Sequence, residues 1–213
     1  MRQLINEHLV SQGIDPKIPP LDLLAPDFMA KVQAHERPRA AASEMEHAIR
    51  RHCKIKFNGD PVFYGKLIEK LEALIRRYEE DWDALYRAML DLQAEAATGR
   101  RAETAPGVPV EQQPYHDLLA RLAFGNGEIL RAAALRMTDV PDDARGKLVA
   151  LTAEICRIIG GYTGIVSFWD NRFQVGRLRG DLSQAVLYSS IEAMYARYEK
   201  IVAELVTLAR NRR

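Results

Sequence analysis

The sequence predicts an all-α fold. Ala, Leu, Glu and Arg are abundant and aromatic residues are few, a mix that favours helix. Apolar residues recur at steps of three and four over long stretches. No alternating strand pattern is longer than the VSFW at 166–169. The expected architecture is a set of antiparallel helices packed on one long central helix, about 61–97.

The elements follow in chain order. Residues 1–12 read as a short helix with Leu4, Ile5 and Leu9, ended by Gly13. DPKIPPLDLLAPDF carries four prolines and is mostly irregular, yet Ile18, Leu21, Leu23, Leu24 and Phe28 make it a strap over a core. Residues 1–42 thus form an N-terminal helix and Pro-rich strap. Ser43-Glu44-Met45-Glu46 has the form of a capping box and predicts a helix over about 44–56. Asn58-Gly59 breaks it, Asp60 is the next N-cap, and Pro61 takes the first helical position, where a missing N–H costs nothing.

From Pro61 the apolar seam is Phe63, Leu67, Leu71, Leu74, Tyr78, Trp82, Leu85, Met89 and Leu92, stopped by Thr98-Gly99. As one helix this would be on the order of 55 Å long, a spine for other helices. Residues 43–99 are therefore a capped helix, a turn and the spine. The polar, Pro- and Gly-containing RRAETAPGVPVEQQ, 100–113, is the best internal boundary. Beyond it come helices over about 111–124, 142–159 and 170–187. GGYTG at 160–164 reads as a break. Leu187, Ile191, Met194, Tyr198, Ile201, Leu205 and Leu208 keep one period across 187–208, compatible with a single final helix. The tract GNGEILRAAALRMTDVP, 125–141, is ambiguous: helix-prone in its middle, with turns at both ends. The C-terminal helices, 100–213, are expected to form one domain with 43–99.

The formal net charge of +1 over 213 residues leaves any nucleic-acid contact to a local patch. Two cysteines, Cys53 and Cys156, with no Cys-x-x-Cys pair, suit a reducing compartment. No apolar run approaches a membrane span and no secretory h-region opens the sequence, so a cytoplasmic location without a membrane partner is expected.

Specific chemistry is sparse. Glu44 and His47 have the Glu-x-x-His spacing of carboxylate-bridged metal bundles, but such sites use two of these motifs and further carboxylates. Cys53 lies in a basic stretch that would activate a thiol, against apolar neighbours Ile49 and Ile55 that suit a core position. Neither a Gly-x-Ser-x-Gly nor a phosphate-binding glycine loop is present. No catalytic, cofactor-binding or metal-binding residue is assigned. The basic clusters carry more. Arg50, Arg51, Lys54 and Lys56 fall on one short helix, and Arg172, Arg177 and Arg179 on another. They could contact phosphates, or be a solvated face, or pair with Glu69, Glu72, Glu79, Glu80 and Asp83 of the spine.

The run SEMEHAIRRHCKIKFNGDPVFYGKLIEKLEALIRRYEEDWDAL resembles the C-terminal region of type I restriction enzyme R subunits. Ser43–Arg50, Asp60-Pro61, Tyr64-Gly65-Lys66-Leu67 and Asp81-Trp82-Asp83 hold the places of the family's motifs. INEHLVSQGI and PPLDLLAPDF are similar to its approach to that segment, and TGIVSFWDNRFQVGRLRGDL to its late aromatic-then-Arg element. The likeness is dense over 43–98 and thin over 100–150. The family's late element continues as a basic helix, where this chain has Leu182-Ser183-Gln184-Ala185.

The resemblance implies a non-catalytic helical assembly domain of an ATP-dependent DNA translocase and endonuclease. ATP and Mg²⁺ would belong to motor and nuclease domains outside this chain. The implied partners are the methyltransferase and specificity subunits and the rest of the R subunit, with duplex DNA as the alternative. Glu46, His47, Arg50, Arg51, Lys54, Lys56, Arg172, Arg177 and Arg179 are the expected interface or DNA-backbone contacts. Ser43, Asp60, Pro61 and Trp82 are expected to serve structure.

Overall fold

A computed structural model describes residues 22–79, 81–102, 104–125 and 140–212. The helix expected at 1–12, the helix-prone middle of 125–141 and half of the Pro-rich strap lie outside the described residues. Those described are helical with no strand: α1 (Phe28–Gln33), α2 (Pro38–Lys56), α3 (Pro61–Tyr78), α4 (Trp82–Thr98), α5 (Gln113–Phe124), α6 (Asp142–Thr163), α7 (Arg172–Leu187), α8 (Glu192–Tyr195) and α9 (Tyr198–Asn211). The fold class is all-α. The chain divides into two compact units. One comprises Met1–Ile55 and Lys66–Gly99, the other Lys56–Gly65 and Arg100–Arg213.

In the first unit α2 starts earlier than its capping-box sequence suggests. Pro38 occupies its first position and Arg37 O accepts from the amides of Ala40 and Ala41 (2.9 and 3.2 Å). The alanines at 40–42, the best helix formers, extend the helix N-terminally, so Ser43 lies inside it and is not its N-cap. Ala41, Ala42, Met45, Ala48, Ile49, His52 and Cys53 are buried, the i, i+4, i+7, i+8 spacing of one helical face. Three contacts tie the helices of this unit together. Arg50 reaches Glu72 of α3 (3.6 Å), Lys70 of α3 donates to Glu95 of α4 (2.6 Å), and the Arg39 guanidinium lies 5.1 Å from the Trp82 ring centroid.

The single spine expected over 61–97 is two helices. α3 ends at Tyr78, and Glu79 takes a left-handed φ of 29°. Asp81 then caps α4, its carboxylate accepting from the Ala84 amide (3.0 Å) while its own amide donates to Tyr78 O (2.6 Å). The apolar seam hides this break. Leu67 and Leu71 are buried in α3, and Leu85, Met89, Leu92 and Ala96 in α4, on a period that a three-residue interruption leaves intact. The expected stop at Gly99 holds, with φ 65° and its amide on Glu95 O.

In the second unit α5 is the buried element. From Gln113 to Ala123 every residue except Asp117 is buried. α5 packs on α6 and α9, and α7 packs on both α6 and α9, so four helices enclose one core. That core includes Leu118, Leu119, Leu122, Leu148, Ile155, Leu178, Leu182, Ile201 and Leu205. The loop before α5 is organised by one side chain. Gln113 Oε1 accepts from the Ala105 amide (3.0 Å), and Nε2 donates to Val108 O (2.9 Å) and Ala105 O (3.3 Å).

Two further expectations change here, and one holds. α6 runs through Gly160-Gly161 to Thr163, because Ile159 is buried and Tyr162 packs on the core; two glycines cost helix stability but do not forbid it. VSFW, as the all-α reading expects, forms no strand. Ser167 is left-handed (φ 57°), a 3₁₀ turn covers Phe168–Asp170, and Asn171 caps α7 through the Phe173 and Gln174 amides (3.1 and 3.2 Å). The continuous period over 187–208 contains a break at Tyr188–Ser190, with Ser190 at φ 57°, followed by the one-turn α8 and then α9.

Candidate functional site

The basic residues singled out from sequence divide into those used inside the fold and those left outward. On α2, Arg50 donates Nε to Glu46 Oε1 (2.8 Å) and also approaches Glu72. It is a positioning residue for α2 on α3, and so is Glu46. Both are partly exposed, so each pair contributes at most about 1 kcal/mol. His47, Arg51, Lys54 and Ile55 are exposed and share the outer side of α2, as i, i+4, i+7 and i+8 spacing requires. Arg51 and Lys54 have no acidic partner among the described residues. Lys56, at the end of α2, is exposed as well.

Cys53 is fully buried, and burial pushes its thiol up to about 11, against the opposing charge of Arg50. The activated-thiol alternative is thereby overturned, because desolvation outweighs the basic surroundings. Glu44 and His47 gain no companions: among the described residues no three His, Cys, Asp or Glu side chains assemble a metal-binding group.

In the second unit Arg172, Arg177 and Arg179 are exposed on α7. Arg177 lies beside the Tyr162 hydroxyl, which donates to Asp181 Oδ2 (2.6 Å). An open groove of about 870 Å³ runs between α6 and α7, with Lys147, Glu154, Tyr162, Asp181 and Tyr188 on its walls. At the α6–α7 turn the aromatic element divides its side chains. Phe168 is buried and Trp169 packs edge-on against it (5.0 Å between centroids), whereas Val166 is 92% and Phe173 73% exposed. A cleft of about 570 Å³ lies between that turn and the first turn of α7.

The two capping residues serve as expected. Asp60 Oδ1 accepts from the Phe63 amide (3.2 Å), and Pro61 opens α3. Trp82 opens α4 under Arg39 and is half-buried.

Sequence reasoning missed the densest polar cluster. Arg100, placed in a polar linker by its surroundings, is almost buried. Nε and Nη2 grip Asp60, the latter at 2.6 Å, and Nη1 donates to Asp117 Oδ2 (2.6 Å). Its guanidinium also lies 5.5 Å from the Phe63 ring centroid. Burial works to lower the Arg100 pKa, but the bond to Asp60 and the two carboxylate charges prevail and raise it. Asp117 is held low in turn: burial would raise it, and the His116 bond together with the Arg100 charge overcomes that. His116 is fully buried, its Nδ1 3.2 Å from Asp117 Oδ1 and its Nε2 without a hydrogen-bond partner among the described residues. The cluster has the character of a structural clamp. No sequence signal marks it, since its members are 40 and 17 positions from Arg100.

In comparisons with known proteins, no family model, curated protein or solved structure matches this chain. Among the described residues no helix is long and apolar enough to cross a membrane.

Proposed function

We propose that this chain is a helical assembly domain of a type I restriction–modification R subunit, one that docks the motor and nuclease onto the methyltransferase–specificity core and is not catalytic by itself. One observation carries the reading. In the element that resembles the family's late aromatic-then-Arg segment, Phe168 and Trp169 turn into the core while Val166 and Phe173 are left outside. A large apolar pair held outward by a buried anchor suits a protein partner. The outward Arg51 and Lys54 of α2, beside His47, add a cationic surface for an acidic partner.

Those same cations favour a second reading, contact with duplex DNA backbone. His47, Arg51 and Lys54 sit one turn apart along α2, and binding through them would weaken steeply with salt and ignore base sequence. Light-scattering chromatography of the chain with its cognate methyltransferase–specificity complex, with and without duplex DNA, separates the two. Co-elution without DNA supports the assembly role. Failure to co-elute, together with salt-sensitive DNA binding, sinks it in favour of the second reading.

A further inference from the structure

We propose that the α6–α7 tip is a preformed docking knob. Val166 and Phe173 would enter an apolar pocket on a folded protein partner, and Arg172 and its neighbours would meet carboxylates on the rim of that pocket. The inference rests on the assembly reading above and assigns it a surface and a partner chemistry.

The tip is built to hold its shape. Phe168, 2% exposed, fixes the turn to the core and makes ring contacts with Tyr162 (5.6 Å) and Trp169 (5.0 Å). Asn171 caps two amides of the first turn of α7, which sets the direction in which Phe173 leaves the helix. Ser167 in a left-handed conformation turns the chain so that Val166 stands almost wholly in solvent. A knob that is ordered before binding loses little conformational entropy on docking. Phe and Arg side chains are enriched at protein interfaces, and Arg is frequent among the residues that carry most of the binding energy.

Charge selects the partner. Residues 165–179 contain three arginines, at 172, 177 and 179, and one acid, Asp170. Arg172 adjoins Phe173 at the first turn of α7, Arg177 follows Phe173 one turn on, beside the Tyr162–Asp181 pair, and Arg179 follows Arg172 two turns on along another side of the helix. The complement is an apolar pocket with an acidic rim. A second copy of this chain fits poorly, because a two-fold contact at the tip would set Arg172 against its own counterpart. Duplex DNA would engage the arginines but leave Val166 and Phe173 without a partner unless a base step were unstacked.

The test is titration calorimetry of the full chain against the cognate methyltransferase–specificity complex at moderate salt. It compares the unaltered chain with V166D/F173D and with R172E, each checked for an unchanged melting curve. Expected are a complex with the unaltered chain, a loss of about 100-fold or more in V166D/F173D, and about tenfold in R172E with a shallower salt dependence. If V166D/F173D melts abnormally, R172E alone decides. A complex that tolerates the substitutions within about threefold overturns the knob and leaves the assembly reading standing. No complex with the unaltered chain overturns both. Loss of duplex-DNA binding or of self-association in V166D/F173D, with the protein complex intact, overturns the knob by giving the tip to another partner.

Discussion

Arg100 and Asp60, 40 residues apart in sequence, form a bidentate pair in which Arg100 Nη2 lies 2.6 Å from Asp60 Oδ1. The same carboxylate oxygen accepts the Phe63 amide, so one side chain both starts α3 and holds the segment that follows α4. Both side chains are only 9% exposed. Removing one partner strands a buried charge. Arg100→Ala is expected to cost about 3–5 kcal/mol, read as a lower chemical-denaturation midpoint with an unchanged slope. Arg100→Lys is expected to recover part of that loss and no more, because an ammonium cannot engage Asp60 through two parallel donors. A near-neutral Arg100→Ala would show that the cluster is not a clamp.

Acid stability should depend on Asp117. Its carboxyl is held below the usual carboxylate range against the effect of burial, by the His116 bond and the Arg100 charge. A folded-state pKa below the unfolded one stabilises above the unfolded value of about 4, and that contribution is lost as pH falls through the folded value. Denaturation midpoints measured between pH 5 and 2 should fall steeply in the unaltered protein. Asp117→Asn should be less stable at pH 5 and should flatten that fall.

Both cysteines should be inert in the folded state. Burial raises Cys53 and Cys156 to about 11 each, with Arg50 and Arg212 respectively working the other way. At pH 8 only about one thiol in a thousand would be thiolate. A chromogenic disulfide reagent should therefore react slowly with native protein and titrate two thiols promptly in denaturant. Fast native reaction at Cys53 would contradict its burial.

The break between α3 and α4 rests on Asp81 and Glu79. Asp81→Ala removes the cap on Ala84 and is expected to cost about 1 kcal/mol. Glu79→Gly relieves a left-handed φ of 29° and is expected to be neutral or to stabilise by about 0.5 kcal/mol. The thermal melt of Asp81→Ala should fall, and that of Glu79→Gly should hold or rise. A more stable Asp81→Ala would indicate that one continuous helix is within easy reach.

Much of the fold was legible because helix burial leaves a periodic trace. The stripes in α2, α6 and α9, the stop at Gly99 and the Asp60-Pro61 start all follow from spacing and local chemistry. Breaks inside a sustained period were not legible. Tyr78–Trp82 and Tyr188–Ser190 interrupt helices without disturbing the apolar spacing, and the turns use Glu79 and Ser190, which carry no glycine signal. The candidate site was legible only in part. Sequence marked Arg50, Arg51, Lys54, Arg172, Arg177 and Arg179 alike. The structure separates Arg50, bound to Glu46 and Glu72, from Arg51 and Lys54, which face outward on the same helix.

The sequence by itself determined that this is an all-α protein, several of its helix ends, among them the Pro61 start and the Gly99 stop, and where its cations cluster. These are local properties: propensity, capping and period act within a few residues. Only the tertiary structure decided that Arg100 is a buried clamp, that Cys53 is a sealed core thiol, and that Val166 and Phe173 stand outside while Phe168 lies within. Those outcomes depend on which distant segments meet, and desolvation and charge pairing are set by that meeting, whatever the identity of the neighbours in the chain.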